Sequence, residues 1–292
     1  MKTEWDYTEL APHYLNRPDY AVEAVVRFCD LAELRQDAAV CDVGAGSAHL
    51  TKLLMARGCN VAAVEPNDAM RAVGMRVTAN KSVQWHVGTG EATGQPNNAF
   101  DAVTFGSSFN TTDRPEALRE TQRILRPNGW FACLWNHRHL NHSLQAGVED
   151  YIKSRINGYG YGTRREDQTE VIRESGLFGE PIFIEASYVA RVPAEAYVEA
   201  WRSHGTLQRQ AGEAFAGIIG GIEASMITSL GTCKFVIPLP ESTIAMPGPL
   251  AKSCSRSERI VPSGSRIRPE SLFNTSPRPL LGLAPSSLIS GS

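Results

Sequence analysis

The chain has 292 residues, 42% of them hydrophobic, and a formal net charge of −2. The apolar share supports a packed core and excludes a wholly disordered protein, while the charge argues against nucleic acid as a partner. No stretch offers the ~20 uninterrupted apolar residues of a membrane span, and the first residues lack the apolar region of a signal peptide. The 6 cysteines include no C-x-x-C pair. We therefore expect a cytoplasmic, membrane-free protein with neither a metal site nor a disulfide framework.

Strand-like and helix-like segments alternate through the first 140 residues. In chain order, strands are predicted at 38–43, 61–64, 83–87, 100–105 and 130–135, and helices at 49–57, from Asn67 onward and at 115–125. This alternation is typical of βαβ units, so it predicts an α/β fold with a mainly parallel sheet. Farther along, the pattern predicts helices at 144–157 and 193–204 and strands at 181–192 and 234–239.

Residues 241–292 differ in composition from the rest of the chain. Of these residues 12 are Ser, 7 are Pro and 4 are Gly, and no apolar period of a helix or a strand persists. Such a segment cannot bury enough apolar surface to offset the entropy lost on folding. We predict a disordered tail; the alternative is a loop-rich extension packed on the domain.

The residues that follow the first two strands predict a nucleoside site. Ligands of an open parallel sheet bind beyond the carboxyl ends of its strands, near the point where the strand order reverses. Gly44 and Gly46 follow the first strand and allow close approach of a ligand to the backbone. Glu65 ends the second strand, where its carboxylate can accept hydrogen bonds from both hydroxyls of a ribose.

The same segment argues against a pyrophosphate cofactor. A dinucleotide fingerprint has a third glycine three residues after Gly46, and His49 occupies that position. Asp42, two residues before the first glycine, would repel an anion but attract an ammonium or sulfonium group. The pattern therefore favours a cationic, phosphate-free nucleoside, with an NAD(P)-dependent oxidoreductase as the alternative.

Five segments in the same order resemble the motifs of class I S-adenosylmethionine-dependent methyltransferases of the type 11 kind. These segments are 40–51, 64–70, 88–92, 100–103 and 123–130. Tyr14, Arg17, Pro18 and Tyr20 resemble the entry segment of the small-molecule branch, which includes trans-aconitate and quinone-biosynthesis methyltransferases. The match is specific over about residues 10–138, poor in motifs to about 239 and absent afterwards. The resemblance implies a Rossmann-like, doubly wound, seven-stranded, mostly parallel sheet with helices on both faces.

The resemblance also implies which residues hold S-adenosyl-L-methionine. The methionine part would lie over Gly44, Ala45 and Gly46 with Asp42 near its amino group, and Glu65 would hold the ribose. The remaining cofactor contacts would be Tyr14, Arg17, Pro66, Met70, Gly90, Glu91, Phe105 and Ser107. Two positions depart from the family pattern: Ala48 replaces the third glycine of the first motif, and Thr89 replaces a frequent Asp.

Candidates for the chemistry follow the fourth and fifth strands. Methyl transfer from a sulfonium needs mainly alignment of the nucleophile, and a base helps when the acceptor carries a proton. His137 is our candidate base, although a surface loop histidine explains it equally well. Phe109, Asn110, Asn136 and Arg138 are candidate substrate contacts, and Arg138 could hold a carboxylate or a phosphate. Tyr197, Trp201 and His204 could also line a substrate pocket, but aromatic residues at helical spacing are more often core.

These observations assign residues 1–240 to one methyltransferase domain. Its motif core spans 36–138, its substrate-side helices and last strands span 139–240, and the tail spans 241–292. The leading hypothesis is an enzyme that uses S-adenosyl-L-methionine to methylate a small-molecule acceptor at oxygen, nitrogen or carbon. The alternatives are the oxidoreductase and a non-catalytic nucleoside-binding protein. The sequence gives no indication of the oligomeric state.

Overall fold

The computed structural model describes residues 6–79, 81–138, 140–162, 166–230 and 235–247. The helices are α1 (Val22–Leu31), α2 (His49–Ala56), α3 (Asp68–Val77), α4 (Arg114–Ile124), α5 (Ser143–Arg155), α6 (Thr169–Glu174), α7 (Ala194–Arg202), α8 (Gly205–Ala211) and α9 (Phe215–Leu230). The strands are β1 (Ala39–Val43), β2 (Asn60–Val64), β3 (Val83–His86), β4 (Phe100–Gly106), β5 (Leu125–Asn136), β6 (Ile182–Val192) and β7 (Phe235–Pro247). The predicted segments match these elements with small shifts at their ends, except that β5 begins five residues earlier and β7 ends eight residues later than predicted.

The strands form one sheet in the order β3-β2-β1-β4-β5-β7-β6. The sheet has seven strands, but only the five from β3 to β5 form its parallel part, because β7 runs antiparallel to both β5 and β6. The predicted α/β class with a parallel sheet is confirmed. The strand order reverses at β1, which lies between β2 and β4, so the fold places a ligand crevice at the end of β1.

Helices cover both faces of the parallel sheet because its strands are apolar on both sides. Val40 and Cys41 are neighbours in β1 but belong to hydrophobic clusters on opposite faces, as alternation along a strand requires. Phe28 of α1 packs into the first cluster, and Leu118 of α4 packs into the second. Capping residues mark helix starts: the Asn67 side chain accepts from the backbone N–H of Met70 at 3.0 Å.

A third hydrophobic cluster joins the helices of the second half of the chain. Ile152 of α5, Trp201 of α7, Leu207 of α8 and Ile219 of α9 are all buried in it. This cluster supports α7, whose residues Tyr197, Ala200 and Trp201 line the ligand crevice. The helices after β5 therefore build one wall of the site.

Strand β7 is longer than the sequence predicts. The predicted strand ends at residue 239 and the predicted tail begins at 241, but β7 continues to Pro247. Its backbone pairs on both sides, with Ala245 opposite Ala132 of β5 and opposite Ile182 of β6. Because β7 has a neighbouring strand on each side, two ladders of backbone hydrogen bonds hold it, whereas a strand at the edge of a sheet has only one. Residues 248–292 of the predicted tail lie outside the described residues.

Several negative observations apply to the described residues. Within those ranges no helix is both long and apolar enough to cross a membrane. No group of three or more His, Cys, Asp or Glu side chains in the described part of the chain could hold a metal ion. Cys29, Cys41, Cys59 and Cys133 are free thiols and all four are buried.

Candidate functional site

A cavity of about 720 Å³ lies at the carboxyl ends of the parallel strands. This volume lies within the range of ~300–1,000 Å³ that is usual for small-molecule sites. The cavity brings together most of the residues predicted from sequence: Tyr14, Arg17, Asp42, Gly44, Ala45, Gly46, Glu65, Pro66, Met70, Gly90, Glu91, Phe105, Ser107, Asn136, His137 and Arg138. Their common position at strand ends explains the grouping, because β1 to β5 all deliver their last residues to the same edge.

The turn after β1 has a backbone that only glycine adopts without strain. Gly44 has φ +67°, and a Cβ atom there would lie 2.4 Å from the Cβ atom of Ser108. Backbone hydrogen bonds fix the turn, since the N–H groups of Gly44 and Ala45 both donate to the carbonyl of Val64, at 2.8 and 3.0 Å. These hydrogen bonds and the close approach of Ser108, which follows β4, together constrain the shape of the turn.

Ala48, at the position of the expected third glycine, also has a left-handed backbone. Its φ is +68° and its ψ is +25°, and it is the residue that caps α2. A non-glycine residue in this region carries a strain of ~1–2 kcal/mol. The methyl group is fully buried, so its burial offsets part of that strain.

We expect Ala48→Gly to be nearly neutral for the free energy of unfolding. Relief of the strain (~1–2 kcal/mol) offsets the lost methyl burial and the added freedom of the unfolded chain. Ala24→Gly, at an equally buried alanine in the first turn of α1, should cost ~1–2 kcal/mol because it gains no such relief. Urea denaturation of both variants measures the difference. Equal losses in the two variants would contradict a strained Ala48.

Glu65 connects the ends of β1 and β2. One carboxylate oxygen accepts from the backbone N–H of Gly46 at 2.9 Å, and the other accepts from the backbone N–H of Asn67 at 2.8 Å. The side chain is 7% exposed. Burial raises the pKa of Glu65 to about 7, against the opposing effect of these two hydrogen bonds and of nearby Arg71. Each oxygen keeps a lone pair with which it can accept from a ligand.

Asp42 is the second buried carboxylate of the cavity wall. Its oxygens accept from the hydroxyls of Thr51 at 2.6 Å and Thr104 at 3.0 Å. Burial raises the pKa of Asp42 to about 6, although these hydrogen bonds oppose the shift. Asp42 also raises the pKa of Glu65 through like-charge repulsion. The glycine side of the cavity is therefore poised to accept a positive charge.

A segment near the N-terminus lines part of the cavity, and we call its residues 11–20 the strap. Arg17 donates from Nε to the Ser203 hydroxyl at 2.7 Å and from a terminal nitrogen to the Ser203 carbonyl at 2.8 Å. Its guanidinium lies 4.2 Å from the ring centre of Tyr14. His49 holds the strap from below, with one ring nitrogen 2.5 Å from Asp19 and the other 3.0 Å from the carbonyl oxygen of Tyr14. His49 thus connects the start of α2 to the strap.

Residues that follow β3 and β4 also line the cavity. Glu91 accepts from the backbone N–H of Asp113 at 2.6 Å, and Thr89 accepts from the backbone N–H of Ala92 at 3.2 Å. Ser107 has φ +56°, and its hydroxyl accepts from Tyr20 at 3.0 Å. The turn after β4 is therefore as constrained as the turn after β1, and strain of this kind is frequent at ligand sites.

Two predicted substrate contacts are not on the cavity wall. After Ser108 the chain enters a short 3₁₀ turn, Phe109–Thr111, which rotates Phe109 into the core. Phe109 packs edge-on against Phe105 and Phe131, with ring centres 5.5 Å apart in each pair. Asn110 is buried as well, and its side-chain oxygen accepts from the indole N–H of Trp135 at 3.1 Å. The structure therefore places both side chains in the core and not among the residues that line the cavity.

The end of β5 supplies the remaining predicted residues. Asn136 donates from its side chain to the carbonyl of Asp19 at 3.1 Å and so also holds the strap. His137 lies on the cavity wall, and so does Arg138. The guanidinium carbon of Arg138 lies 3.6 Å from the ring centre of Trp201, a close cation–π contact.

Aromatic residues of the second half of the chain also line the cavity. Tyr161, Tyr197, Trp201 and His204 line the cavity. Tyr197 and Trp201 belong to the third hydrophobic cluster at the same time, so the favoured interpretation of core residues describes only one of their roles. Their helical spacing does not distinguish a core residue from a cavity-lining residue, because the same face of α7 contacts both the hydrophobic cluster and the cavity.

The sequence comparisons agree with the site. Residues 41–133 match a protein family described as a methyltransferase domain. An uncharacterized methyltransferase of Mycobacterium bovis is 35% identical over 122 residues, which cover 42% of this chain and 48% of the relative. The ubiquinone/menaquinone biosynthesis C-methyltransferase UbiE of Rubrivivax gelatinosus is 30% identical over 109 residues, which cover 37% and 43% of the two chains. The chain thus spans about half the length of the curated relatives it matches.

Solved structures support the fold. A protein of Anabaena variabilis, described as a methyltransferase from an antibiotic biosynthesis pathway, aligns with a TM-score of 0.52 and 17% identity over 79% of this chain and 98% of that protein. A protein of Anaeromyxobacter dehalogenans, described as a type II methyltransferase, aligns with a TM-score of 0.52 and 20% identity over 80% and 97% of the two chains. The match of residues 41–133 to a methyltransferase domain therefore agrees with the resemblance that the motifs indicated.

Proposed function

We propose that the protein transfers a methyl group from S-adenosyl-L-methionine to a small-molecule acceptor by in-line displacement. The observation that carries this proposal is the pair of buried carboxylates, Asp42 and Glu65, beside the glycine turn. Two carboxylates whose pKa values are raised by burial gain most from a ligand that brings positive charge and hydroxyl donors. A sulfonium nucleoside has both properties.

The residues present fit this cofactor. The turn at Gly44 has no room for a Cβ atom and leaves its outer side open to the cavity. Ser47 is 2% exposed, and its hydroxyl has no hydrogen-bond partner among the described residues. A buried polar atom of this kind usually finds its partner in a ligand or a water molecule. Glu65 would hold the ribose, and Met70 and Pro66 would line the adenine pocket.

The alternative dinucleotide cofactor fits less well. A pyrophosphate at the glycine turn would place two negative charges beside Asp42 and Glu65. The helix that follows the turn begins with Ala48 and His49, and the strap residues Asp19 and Tyr14 occupy both ring nitrogens of that histidine. Residues 44–49, which form the turn and the start of α2, therefore offer the anion no compensating side-chain cation.

The mechanism assigns separate tasks to the two sides of the cavity. When bound, S-adenosyl-L-methionine would supply an electrophilic methyl group on its sulfur. Glu65 and the glycine turn would orient the nucleoside, and the strap would exclude water. Alignment of this kind accounts for several kcal/mol of barrier lowering, up to ~7–11 kcal/mol in the best cases. His137 would take the proton of the acceptor, a contribution of typically ~10²–10⁴-fold in rate.

Calorimetry and a turnover assay test the proposal. We expect S-adenosylhomocysteine to bind the full chain with one site, and a large excess of NADH not to displace it. We also expect the label of methyl-labelled S-adenosylmethionine to pass to a small molecule in extracts of the source organism. Displacement by NADH would favour the oxidoreductase instead. Binding without turnover across all acceptor pools would favour a non-catalytic nucleoside-binding protein.

A further inference from the structure

Two of the described cysteines contact each other away from the cavity wall. Cys29 lies in the last turn of α1, and Cys59 comes directly before β2. Both side chains are buried in the first hydrophobic cluster. The thiol of Cys29 donates a hydrogen bond to the sulfur of Cys59. The two sulfur atoms are therefore neighbours, although 30 positions separate them in sequence.

The backbone around the two cysteines holds their segments together. The N–H of Asp37, in the connection from α1 to β1, donates to the carbonyl of Gly58 at 2.8 Å. The N–H of Asn60 donates to the carbonyl of Ala38 at 2.9 Å. Because these bonds lie on both sides of Cys59 in the chain, the contact between the two thiols belongs to a fixed part of the fold.

Arg57 brings a positive charge to the thiol pair. Its guanidinium donates to the Asp30 carboxylate at 2.6 Å and also to the sulfur of Cys29. The hydrogen bond from Cys29 and the charge of Arg57 lower the pKa of the Cys59 thiol, against the effects of burial and of Asp101. The same hydrogen bond raises the pKa of Cys29. Because the thiolate is the nucleophilic form, Cys59 is the member of the pair that attacks first.

The pair is also closer to solvent than the other described cysteines. Cys59 is 6% exposed, and Cys29 lines a surface depression together with residues 30 and 33–35. Cys41 and Cys133 have no exposed surface, and burial raises the pKa of both thiols. A small oxidant that reaches the protein surface therefore meets Cys59 before it meets either of these two thiols.

We infer that Cys29 and Cys59 are a modification site, at which a hydroperoxide converts the two thiols into a disulfide. The sulfur of Cys59 attacks one peroxide oxygen, so that an S–O bond forms, the O–O bond breaks and an alcohol leaves with the thiol proton. The sulfur of Cys29 then attacks the sulfenic sulfur, so that the S–S bond forms and water leaves with the second thiol proton. The peroxide gains two electrons, and the two sulfur atoms together lose two.

The disulfide would join α1 to the turn before β2 at the end away from the strap. At the other end, Asp19 of the strap contacts His49 and Lys52 of α2. The sulfur atoms are already at hydrogen-bond distance, so rotation of the side chains can bring them to the ~2.0 Å of a disulfide. A cross-link between residues 29 and 59 restricts the unfolded chain, and the oxidised protein should therefore unfold at a higher temperature.

Peptide mapping after oxidation tests the inference. The full chain with Cys233→Ala and Cys254→Ala keeps only the four described thiols. It is treated with tert-butyl hydroperoxide, unfolded, alkylated and digested with trypsin for mass spectrometry. Cys29→Ala and Cys59→Ala in this background assign the two roles, and Cys41→Ala is the matched control at a buried thiol of the second cluster. Circular dichroism verifies that each variant is folded.

We expect a cross-link between the tryptic peptides 28–35 and 58–71, with Cys41 and Cys133 alkylated. The thiol of Cys59 should react at least about tenfold faster than that of Cys133. Cys29→Ala should stop at a sulfenic acid on Cys59 that dimedone traps, Cys59→Ala should give no cross-link, and Cys41→Ala should behave like its background. Dithiothreitol should reverse both the cross-link and the rise in unfolding temperature.

Absence of the cross-linked peptide, a cross-link to another cysteine or equal reaction rates at Cys59 and Cys133 overturns the inference. The cross-link is measured on the chain that keeps both thiols, so it decides the question even where an alanine variant fails to fold. No readout depends on cofactor binding or turnover, and failure of the proposed function is therefore distinguished from failure of this inference.

Discussion

Replacement of Glu65 by Gln is expected to weaken S-adenosylhomocysteine binding about 10- to 100-fold. Hydrogen bonds to a charged acceptor contribute ~1.5–3 kcal/mol, and a tenfold change in affinity corresponds to ~1.4 kcal/mol. The amide of Gln would also turn a donor toward one of the two backbone N–H groups, of Gly46 or Asn67, that the carboxylate now accepts. Isothermal titration calorimetry at pH 8 measures the loss.

The same carboxylate predicts opposite effects of pH on binding and on stability. Because burial raises the pKa of Glu65 to about 7, the carboxylate protonates as the pH falls from 8 to 6 and loses acceptor strength toward a ribose. Cofactor affinity should therefore rise with pH through about 7. The ligand-free protein should behave inversely, because an acid with a raised folded pKa favours the folded state below its unfolded pKa and loses that contribution as pH rises through the folded pKa.

The difference between the natural protein and Glu65→Gln isolates this group from other titrations. The stability of the natural protein relative to the variant should fall by up to about 3 kcal/mol as the pH rises from the unfolded pKa of the glutamate to above 7. Glu23→Gln, at an exposed residue outside the cavity wall, is the control and should show neither effect. A natural protein whose cofactor affinity is flat between pH 6 and 8 would contradict the role of Glu65.

The proposed cofactor side of the site could be predicted from sequence because it depends on short segments at the ends of neighbouring strands. A glycine turn after a buried strand and an acid at the end of the next strand must meet when the two strands are parallel neighbours, as β1 and β2 are. The register, with Val43 opposite Val64, places Glu65 against the N–H of Gly46 without any further information. Sequence spacing alone therefore carried the prediction.

The acceptor side could not be predicted in the same way. Arg138 and His204 are 66 positions apart in sequence, and Arg17 and Ser203 are 186 apart, so no local pattern announces either contact. The sequence neighbours of Phe109 are the polar residues serine and asparagine, which suggest an exposed position, yet the 3₁₀ turn directs the Phe109 side chain into the core. Strand β7 extends past the predicted end because its two neighbours supply hydrogen bonds that its own sequence does not reveal.

Gly44→Ala is expected to cost ~2–5 kcal/mol of the free energy of unfolding. Its φ of +67° imposes ~1–2 kcal/mol on any residue with a Cβ atom. The new methyl group would also lie 2.4 Å from the Cβ atom of Ser108, and relief of such overpacking costs typically ~1–3 kcal/mol. Ser108 cannot yield easily, because its hydroxyl donates to the carbonyl of Val43 at 2.6 Å.

Gly94→Ala separates the two contributions to that loss. Gly94 has nearly the same φ, +70°, but no heavy atom lies within 4 Å of its Cβ position, so the variant should lose only the strain. Urea denaturation should therefore place Gly44→Ala ~1–3 kcal/mol below Gly94→Ala, and Ser108→Gly in the Gly44→Ala background should recover part of that gap. Only Gly44→Ala should weaken S-adenosylhomocysteine binding, because the turn at Gly44 must shift to admit the methyl group and Gly94 lies outside the cavity wall. Equal stability of the two alanine variants would mean that the contact between Gly44 and Ser108 does not constrain the turn.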